Sequence, residues 1–420
     1  MSTDRTYKWS RAAVIVLMAG SWFAITGSTG FSVLSAQEPE PASPSDPTVP
    51  EPPAPPTVAP SLAQLLARYR RTPSRTRLAS VPKMFGDSIG HIAGLTVQSI
   101  GFSNPATSTI GIPVGSSRAA KVGDHNAAIP VNRAYFNFNH FHNAIDTTFA
   151  TPAFTVQSTE SINRYTFGWE RTFAEGLWSV ELRMPFNETY LSASPAPGII
   201  AVGGGNVGNL AVVLKRLIHQ SEDTAVAVGL VLDTPTGEDT VASIGPSIYT
   251  ANNNVMGILP YIGMMYSPDD RHFVHAFLQT DIPLGDNTVH TADATGTPSP
   301  QIVGDFTQPT LMYLDVSGGY RLYQNSSASH ITALSALLEF HYTTTLHKGK
   351  ALNGNHVSSN GPETFRFGRQ VTDSDVVNFT VALDTELAND WNIRVGSVFP
   401  MGADDRFFDS EVAVQATYYR

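Results

Sequence analysis

The sequence lacks cysteine entirely and has few charged residues, which make up 15% of its 420 residues. Without cysteine, thiol catalysis, thiolate-bound metal ions and disulfide crosslinks are all excluded. The formal net charge of −10 argues against a nucleic-acid partner, because such proteins normally present a basic face. After the N-terminal region, no stretch reaches the roughly 18–20 apolar residues that a membrane-spanning helix needs.

The N-terminus has the pattern of an export signal. Lys8 and Arg11 supply positive charge, and residues 12–26 are mainly apolar and contain no acidic or basic residue. Small residues at 34–36 then offer a cleavage site. An uncleaved membrane anchor is the alternative, but glycine and serine interrupt the apolar run. We therefore predict a signal peptide over residues 1–36.

Two further segments precede the main body of the chain. Residues 38–60 contain ten prolines and no aromatic residue, so we predict an extended tether over residues 37–60. Residues 61–130 begin with a short helical pattern and several arginines, and continue as a Gly- and Ser-rich stretch with one strand-like run at 95–102. We expect this segment to be a periplasmic extension or a plug.

Residues 131–420 alternate apolar and polar side chains in short runs. In one run Phe167 and Trp169 share a face, whereas Thr166 and Glu170 share the other. Period two is the signature of a strand whose two faces meet different surroundings. The predicted strands are residues 131–140, 162–173, 177–184, 207–216, 224–233, 254–266, 271–282, 310–322, 331–342, 376–387, 391–399 and 411–418.

The connections between these runs alternate in length. Short ones are expected near residues 173–176 and 388–390, for example, and long ones near 141–161, 185–206 and 343–375. Short periplasmic turns and long extracellular loops are typical of outer-membrane barrels. The predicted fold is all-β: a transmembrane antiparallel up-and-down β-barrel of about twelve strands, with a largely irregular N-terminal extension.

Charged residues on the polar face of these strands are the candidate site. They are lumen-facing by parity, and acids and bases are nearly balanced in number. Internal salt bridges that fill the barrel are one interpretation, and a pore lined by mixed charge is the other. The candidates are Arg164, Glu170, Glu181, Arg183, Lys215, Asp315, Arg321, Glu339, Asp384 and Arg394.

Four segments carry a family resemblance. The runs NRAYFNFNHF (132–141), GNLAVVLKRLI (208–218), VLDTPTG (231–237) and LLEFHYTTTL (337–346) resemble Gram-negative outer-membrane barrels. These barrels are transporter-like and are often labelled as components of the phenol-degradation (meta-cleavage) pathway. The resemblance implies a porin-like protein of the cell outer membrane that passes small solutes, apolar ones among them. It also implies contact with outer-membrane lipid and with the barrel-assembly machinery.

Other motifs are weak. Gly203, Gly205 and Gly208 match a dinucleotide-binding spacing, but no βαβ series surrounds them. His140 and His142 share parity, yet further ligands are missing, so we predict no metal site and no cofactor. No nucleophile elbow or phosphate loop is present, and we predict that the protein is not an enzyme. A passive channel is the preferred function. The alternatives are a structural or surface-interaction barrel with long extracellular loops, and a barrel enzyme acting on lipid.

Overall fold

The computed structural model describes residues 77–87, 92–99, 105–113, 120–188, 200–204, 207–296, 299–368, 375–402 and 406–420. The predicted signal peptide, tether and short helix lie outside these residues and stay predictions. Strands dominate what is described, with 3-10 turns at Arg77–Ser80 and Ala174–Gly176. No helix within these ranges is long and apolar enough to cross a membrane.

The described residues contain twenty-one strands, numbered here in chain order. They are β1 (Ile92–Ser99), β2 (Ala106–Pro113), β3 (Arg133–Ala150), β4 (Thr155–Phe173), β5 (Trp178–Asn187), β6 (Ile200–Gly204), β7 (Ala211–Gln220), β8 (Thr224–Asp233), β9 (Thr240–Ile244), β10 (Ser247–Ala251), β11 (Met256–Tyr266), β12 (His272–Leu284), β13 (Asn287–Asp293), β14 (Gln301–Phe306), β15 (Thr310–Gln324), β16 (Ile331–His347), β17 (Leu352–Ser358), β18 (Gly361–Phe367), β19 (Asp375–Leu387), β20 (Trp391–Pro400) and β21 (Ser410–Tyr419).

Twelve of these strands close into an antiparallel barrel. The order is β3-β4-β5-β7-β8-β11-β12-β15-β16-β19-β20-β21, and β21 pairs with β3 to complete the ring. Each barrel strand thus pairs with the barrel strands that precede and follow it along the chain, and the predicted up-and-down barrel of about twelve strands is confirmed. Closure matters because a barrel leaves no unpaired strand edge within the membrane.

The two faces of the wall differ as the alternation predicts. Phe167 and Trp169 on β4 are 53% and 49% exposed, whereas Thr166 and Glu170 on the same strand are 6% and 0% exposed. Other large apolar side chains also project outward, including Leu278 on β12 and Leu383 on β19. An apolar outer band with a polar interior is the arrangement expected of a barrel in lipid.

The long connections are not irregular loops as we expected. They contribute β6, β9, β10, β13 and β14, which form a separate five-stranded sheet. The connection after β16 supplies β17 and β18, which continue a sheet with β1 and β2. In this sheet β2 pairs with the C-terminal end of β3, residues 147–150. The predicted loop at 141–161 is instead the extended end of the β3–β4 hairpin. We call these nine additional strands the cap.

An apolar core joins the two sheets of the cap. Tyr249 on β10 packs with Phe365 on β18, and Phe306 on β14 packs with Phe367. Phe141 and Val398 from the barrel strands belong to the same cluster. The cap therefore rests on the end of the barrel that carries the long connections.

The N-terminal segment passes through the barrel interior twice. Leu78 packs among residues near the short turns, such as Leu217 and Phe273, so the first described residues lie at that end. The segment reaches the opposite end at β1 and β2 and returns to β3. We call the two interior stretches, residues 78–87 and 120–130, the luminal hairpin. The sequence revealed one strand near residue 95 but not its partner β2.

Candidate functional site in the barrel interior

All ten charged residues singled out from the sequence are buried. Their exposures range from 0% for Glu170, Glu181 and Asp315 to 5% for Arg164. They come from seven different barrel strands, because alternate residues of every strand project inward. The structure brings some of them into two clusters and leaves others apart. Arg164, for example, donates to Asn187 on the neighbouring strand.

The first group is the arginine-rich cluster, which consists of Arg133, Glu170, Glu181, Arg183 and Lys215. Arg133 lies 2.7 Å from Glu170 and 3.2 Å from Glu181, while Arg183 lies 2.9 Å from Glu181. Lys215 approaches Glu170 at 3.1 Å. Three cations surround two carboxylates, so this part of the wall carries excess positive charge.

The second group is the lysine-centred cluster, which consists of Asp87, Lys121, Asp315, Glu339 and His341. Lys121 of the luminal hairpin pairs with Asp87 and lies 2.8 Å from Asp315 on the wall. His341 lies 2.8 Å from Asp315 and 3.3 Å from Glu339. Ligand atoms of Asp87, Asp315 and His341 lie within 4.8 Å of one another, close enough to hold a metal ion. The Lys121 ammonium already supplies positive charge to both carboxylates.

Close approach of the hairpin to the wall depends on two glycines. A Cβ on Gly123 would lie 2.6 Å from the Asp315 carboxylate, so a side chain there would displace the hairpin. Gly86 has a φ of +95°, which side chains rarely adopt, and a Cβ there would lie 2.6 Å from the Asp124 Cα atom. Glycine at these two positions thus has a packing reason.

The sequence did not reveal the hairpin's part in the site. Asp87, Lys121 and His125 are buried partners of wall residues, yet none of them was a candidate. Their charge was visible, but without strand periodicity nothing in the sequence related them to the barrel interior. Arg321 donates to the Ser80 carbonyl and lies 3.9 Å from Glu386.

The cap has a polar centre of its own. Ser247, Tyr249 and Ser358 all donate to the buried Glu363 carboxylate, at 2.7, 3.1 and 3.1 Å. Burial, together with the negative charge of Glu363, raises the pKa of the Tyr249 phenol above its ordinary value. Both causes keep the phenol protonated, so it remains a donor to Glu363.

No protein-family model matches the chain, and no curated protein matches its sequence. Among solved structures it is similar to a COG4313 outer-membrane channel from Pseudomonas putida F1, with 9% identity and a TM-score of 0.44 over 71% of this chain and 99% of the other. It is also similar to the β domain of the Bordetella autotransporter BrkA, with 12% identity and a TM-score of 0.39 over 69% of this chain and 100% of the other. Its similarity to the NanC porin has 6% identity and a TM-score of 0.37, over 69% of this chain and 99% of the other. The present chain is an outer-membrane β-barrel by its own strand pairing and apolar outer band.

Proposed function

We propose that the protein is an outer-membrane channel for small solutes, closed at rest by its own luminal hairpin. The observation that carries this proposal is a closed barrel whose charged inner wall binds a segment of the same chain. Contacts come from several directions, since Arg183 donates to the Lys121 carbonyl and Gln279 contacts both Ala120 and Val122. A solute path along the barrel axis requires these contacts to open.

A charged wall favours polar solutes over apolar ones, because an apolar solute would strip water from these groups without replacing its hydrogen bonds. Passage of apolar solutes, and the label of the phenol-degradation pathway, have only the resemblance as support. Outer-membrane lipid around the apolar band and the barrel-assembly machinery remain proposed partners.

Loosening the hairpin tests this function. Lys121→Ala removes the cation shared by Asp87 and Asp315, so we expect the variant to conduct ions in planar bilayers more than the unaltered chain does. Lys350→Ala is the matched control, because Lys350 lies exposed in the cap. A second variant, Met84→Ala with Val122→Ala, loosens the hairpin through its apolar contacts. If neither loosened variant conducts above the control, the channel proposal is wrong.

A surface-interaction function is the second candidate, and the cap is the observation that favours it. Its two ordered sheets present the exposed apolar residues Ile302 and Val357 on strands β14 and β17. Deleting cap strands should then abolish adhesion to a partner surface without raising conductance. In a purely adhesive barrel, the conductance should be the same before and after the deletion.

A lipid enzyme is not favoured. Ser161 Oγ lies 3.4 Å from His142 Nδ1 at the outer rim of the barrel, which is beyond the 2.6–3.2 Å expected of a nucleophile and its base. The same hydroxyl accepts the Asn143 N–H. In the described part of the chain, no carboxylate forms an ion pair with His142 that would orient its ring.

A further inference from the structure

The barrel wall binds the first stretch of the luminal hairpin mainly through its backbone. Six of the seven residues from Ser80 to Gly86 offer a backbone atom to a wall side chain. Wall side chains donate to six backbone carbonyls: Arg321 to Ser80, His275 to Pro82 (2.8 Å), Arg394 to Lys83 and Met84 (2.9 and 3.1 Å), Gln415 to Phe85 (3.0 Å) and Thr380 to Gly86 (3.5 Å). In the other direction, the backbone amides of Phe85 and Gly86 donate to the Glu339 carboxylate (2.7 and 2.8 Å).

Backbone carbonyls and amides are common to every peptide. Binding through them gives affinity that is largely independent of sequence, while pockets for particular side chains add specificity. Three of these wall groups, Arg321, Arg394 and Glu339, are charged, and charge-assisted hydrogen bonds are the stronger kind. The wall of the barrel thus has the chemistry of a site for an extended peptide.

One side chain of the stretch has a fitted pocket. Phe85 is 1% exposed and packs in the cluster that contains the small residues Ala382 and Ala413. Gly396 forms another side of the pocket, where an added Cβ would lie 2.9 Å from the Phe85 Cζ atom and 2.7 Å from the Ala382 Cβ atom. Small wall residues at this level leave room for one aromatic ring.

A second side chain of the stretch, that of Lys83, is recognised less specifically. Lys83 is 6% exposed, and its ammonium lies 4.7 Å from the centre of the Tyr419 ring. No carboxylate of the described residues forms an ion pair with it. Recognition at this position therefore concerns the backbone and the aromatic surface rather than a matched charge.

We infer that the lumen is a binding site for short extended peptides that carry an aromatic residue, and that the luminal hairpin occupies this site in the resting protein. This inference rests on the proposed channel function, because the hairpin must leave before a solute enters. It names the solute class: unstructured oligopeptides, held by Arg394, Gln415 and Glu339 along the backbone and by the Gly396 pocket at the ring.

The test uses the full chain in detergent, and its first measurement uses substitutions on the hairpin alone, so that the wall is intact. Lys121→Ala and, separately, Met84→Ala with Val122→Ala supply two loosened variants. The probe is a fluorescent heptapeptide with the sequence of residues 80–86, SVPKMFG, and binding is followed by fluorescence anisotropy. We expect both variants to bind it, and the unaltered chain to bind at least about tenfold more weakly because its own hairpin competes.

Three altered peptides separate backbone recognition from sequence recognition. A peptide scrambled at every position except phenylalanine should bind about as well as the parent. Methylation of the two amide nitrogens that correspond to Phe85 and Gly86 should weaken binding by at least about tenfold, because it removes both donors to Glu339. Replacing phenylalanine by alanine should also weaken binding, and Gly396→Ala in the wall should abolish this preference.

The outcomes distinguish the inference from the channel proposal. If the loosened variants conduct ions but bind neither the parent nor the scrambled peptide, the peptide site is wrong and the channel stands. If they bind peptide but no variant conducts, the channel is wrong and the peptide site stands. If scrambling abolishes binding or amide methylation has no effect, the wall does not recognise backbone, and the inference is overturned.

Discussion

The barrel and the cap are both built of antiparallel strands, yet the sequence predicted all the barrel strands and, of the cap strands, only a run that overlaps β1. A barrel strand separates lipid from a polar interior, so its side chains must alternate over ten or more residues. A cap strand such as β9 or β10 has five residues and lies outside the barrel wall. The alternation of apolar and polar residues in such a strand is too short to stand out, so the sequence of the segment looks like that of a loop.

The two regions are also held together differently. Ion pairs link the inner wall of the barrel to itself and to the luminal hairpin. The cap instead depends on an apolar core with a single carboxylate, Glu363, at its polar centre. Removing one partner of a buried ion pair leaves an uncompensated charge, whereas substitutions at exposed positions of the cap, away from its core, usually change stability little. Substitutions should therefore be more damaging in the barrel than in the cap.

The largest effect is expected at the arginine-rich cluster. Glu170→Ala leaves the buried Arg133 and Lys215 without their shared carboxylate, so we expect the free energy of unfolding to fall by about 3–5 kcal/mol. Urea unfolding followed by tryptophan fluorescence would measure it. Glu175→Ala, in an exposed short turn, is the matched control and should change little. Equal losses in both variants would show that the cluster is not what stabilises the barrel.

The next effect contrasts the lipid-facing surface with the cap surface. Phe167→Arg puts a charge on the outer face of β4 and should cost about 2–4 kcal/mol in lipid if this level is near the membrane midplane. Ile302→Arg, on a cap residue that is 69% exposed, should change the free energy of unfolding by less than about 0.5 kcal/mol. Unfolding in phospholipid vesicles compares the two. Similar costs would contradict the assignment of the outer band to lipid.

The sequence predicted the barrel because strand periodicity and loop length are local properties of the chain. Phe167 and Glu170 could be assigned to opposite faces from parity alone. The partners of Glu170 could not, since Arg133 and Lys215 belong to strands that meet it only when the barrel closes. The path of the hairpin was equally hidden. Its contacts, such as Glu339 with Phe85, join residues 254 positions apart.

A smaller and local effect is expected in the cap. Glu363→Ala leaves the hydroxyls of Ser247, Tyr249 and Ser358 without their acceptor, at a cost of about 1–3 kcal/mol. Hydrogen exchange should accelerate in β10 and β18 while β3 and β4 stay protected. Glu363→Gln keeps one acceptor oxygen and should have a smaller effect. If exchange accelerates in the barrel as well, cap and barrel unfold together and the contrast between them fails.

The smallest effect is a pH dependence confined to the cap. The Thr295 hydroxyl donates to Asp293 at 2.6 Å, and the Ser359 amide donates at 2.6 Å, so these bonds hold the pKa of Asp293 below its ordinary value. A carboxylate with a depressed pKa in the folded state stabilises that state above its unfolded pKa of about 3.9, and this contribution is lost as the pH falls toward the folded value. The stabilisation that Asp293 gives the cap should thus be constant from neutrality to about pH 4 and be lost below it.

Pepsin cleavage within β10 and β13, measured by mass spectrometry at decreasing pH, would detect the loosening. Asp293→Asn should be cleaved readily even near pH 4 and should lose most of the further acid dependence. If the unaltered protein and this variant show the same acid profile, the Asp293 contacts do not stabilise the cap.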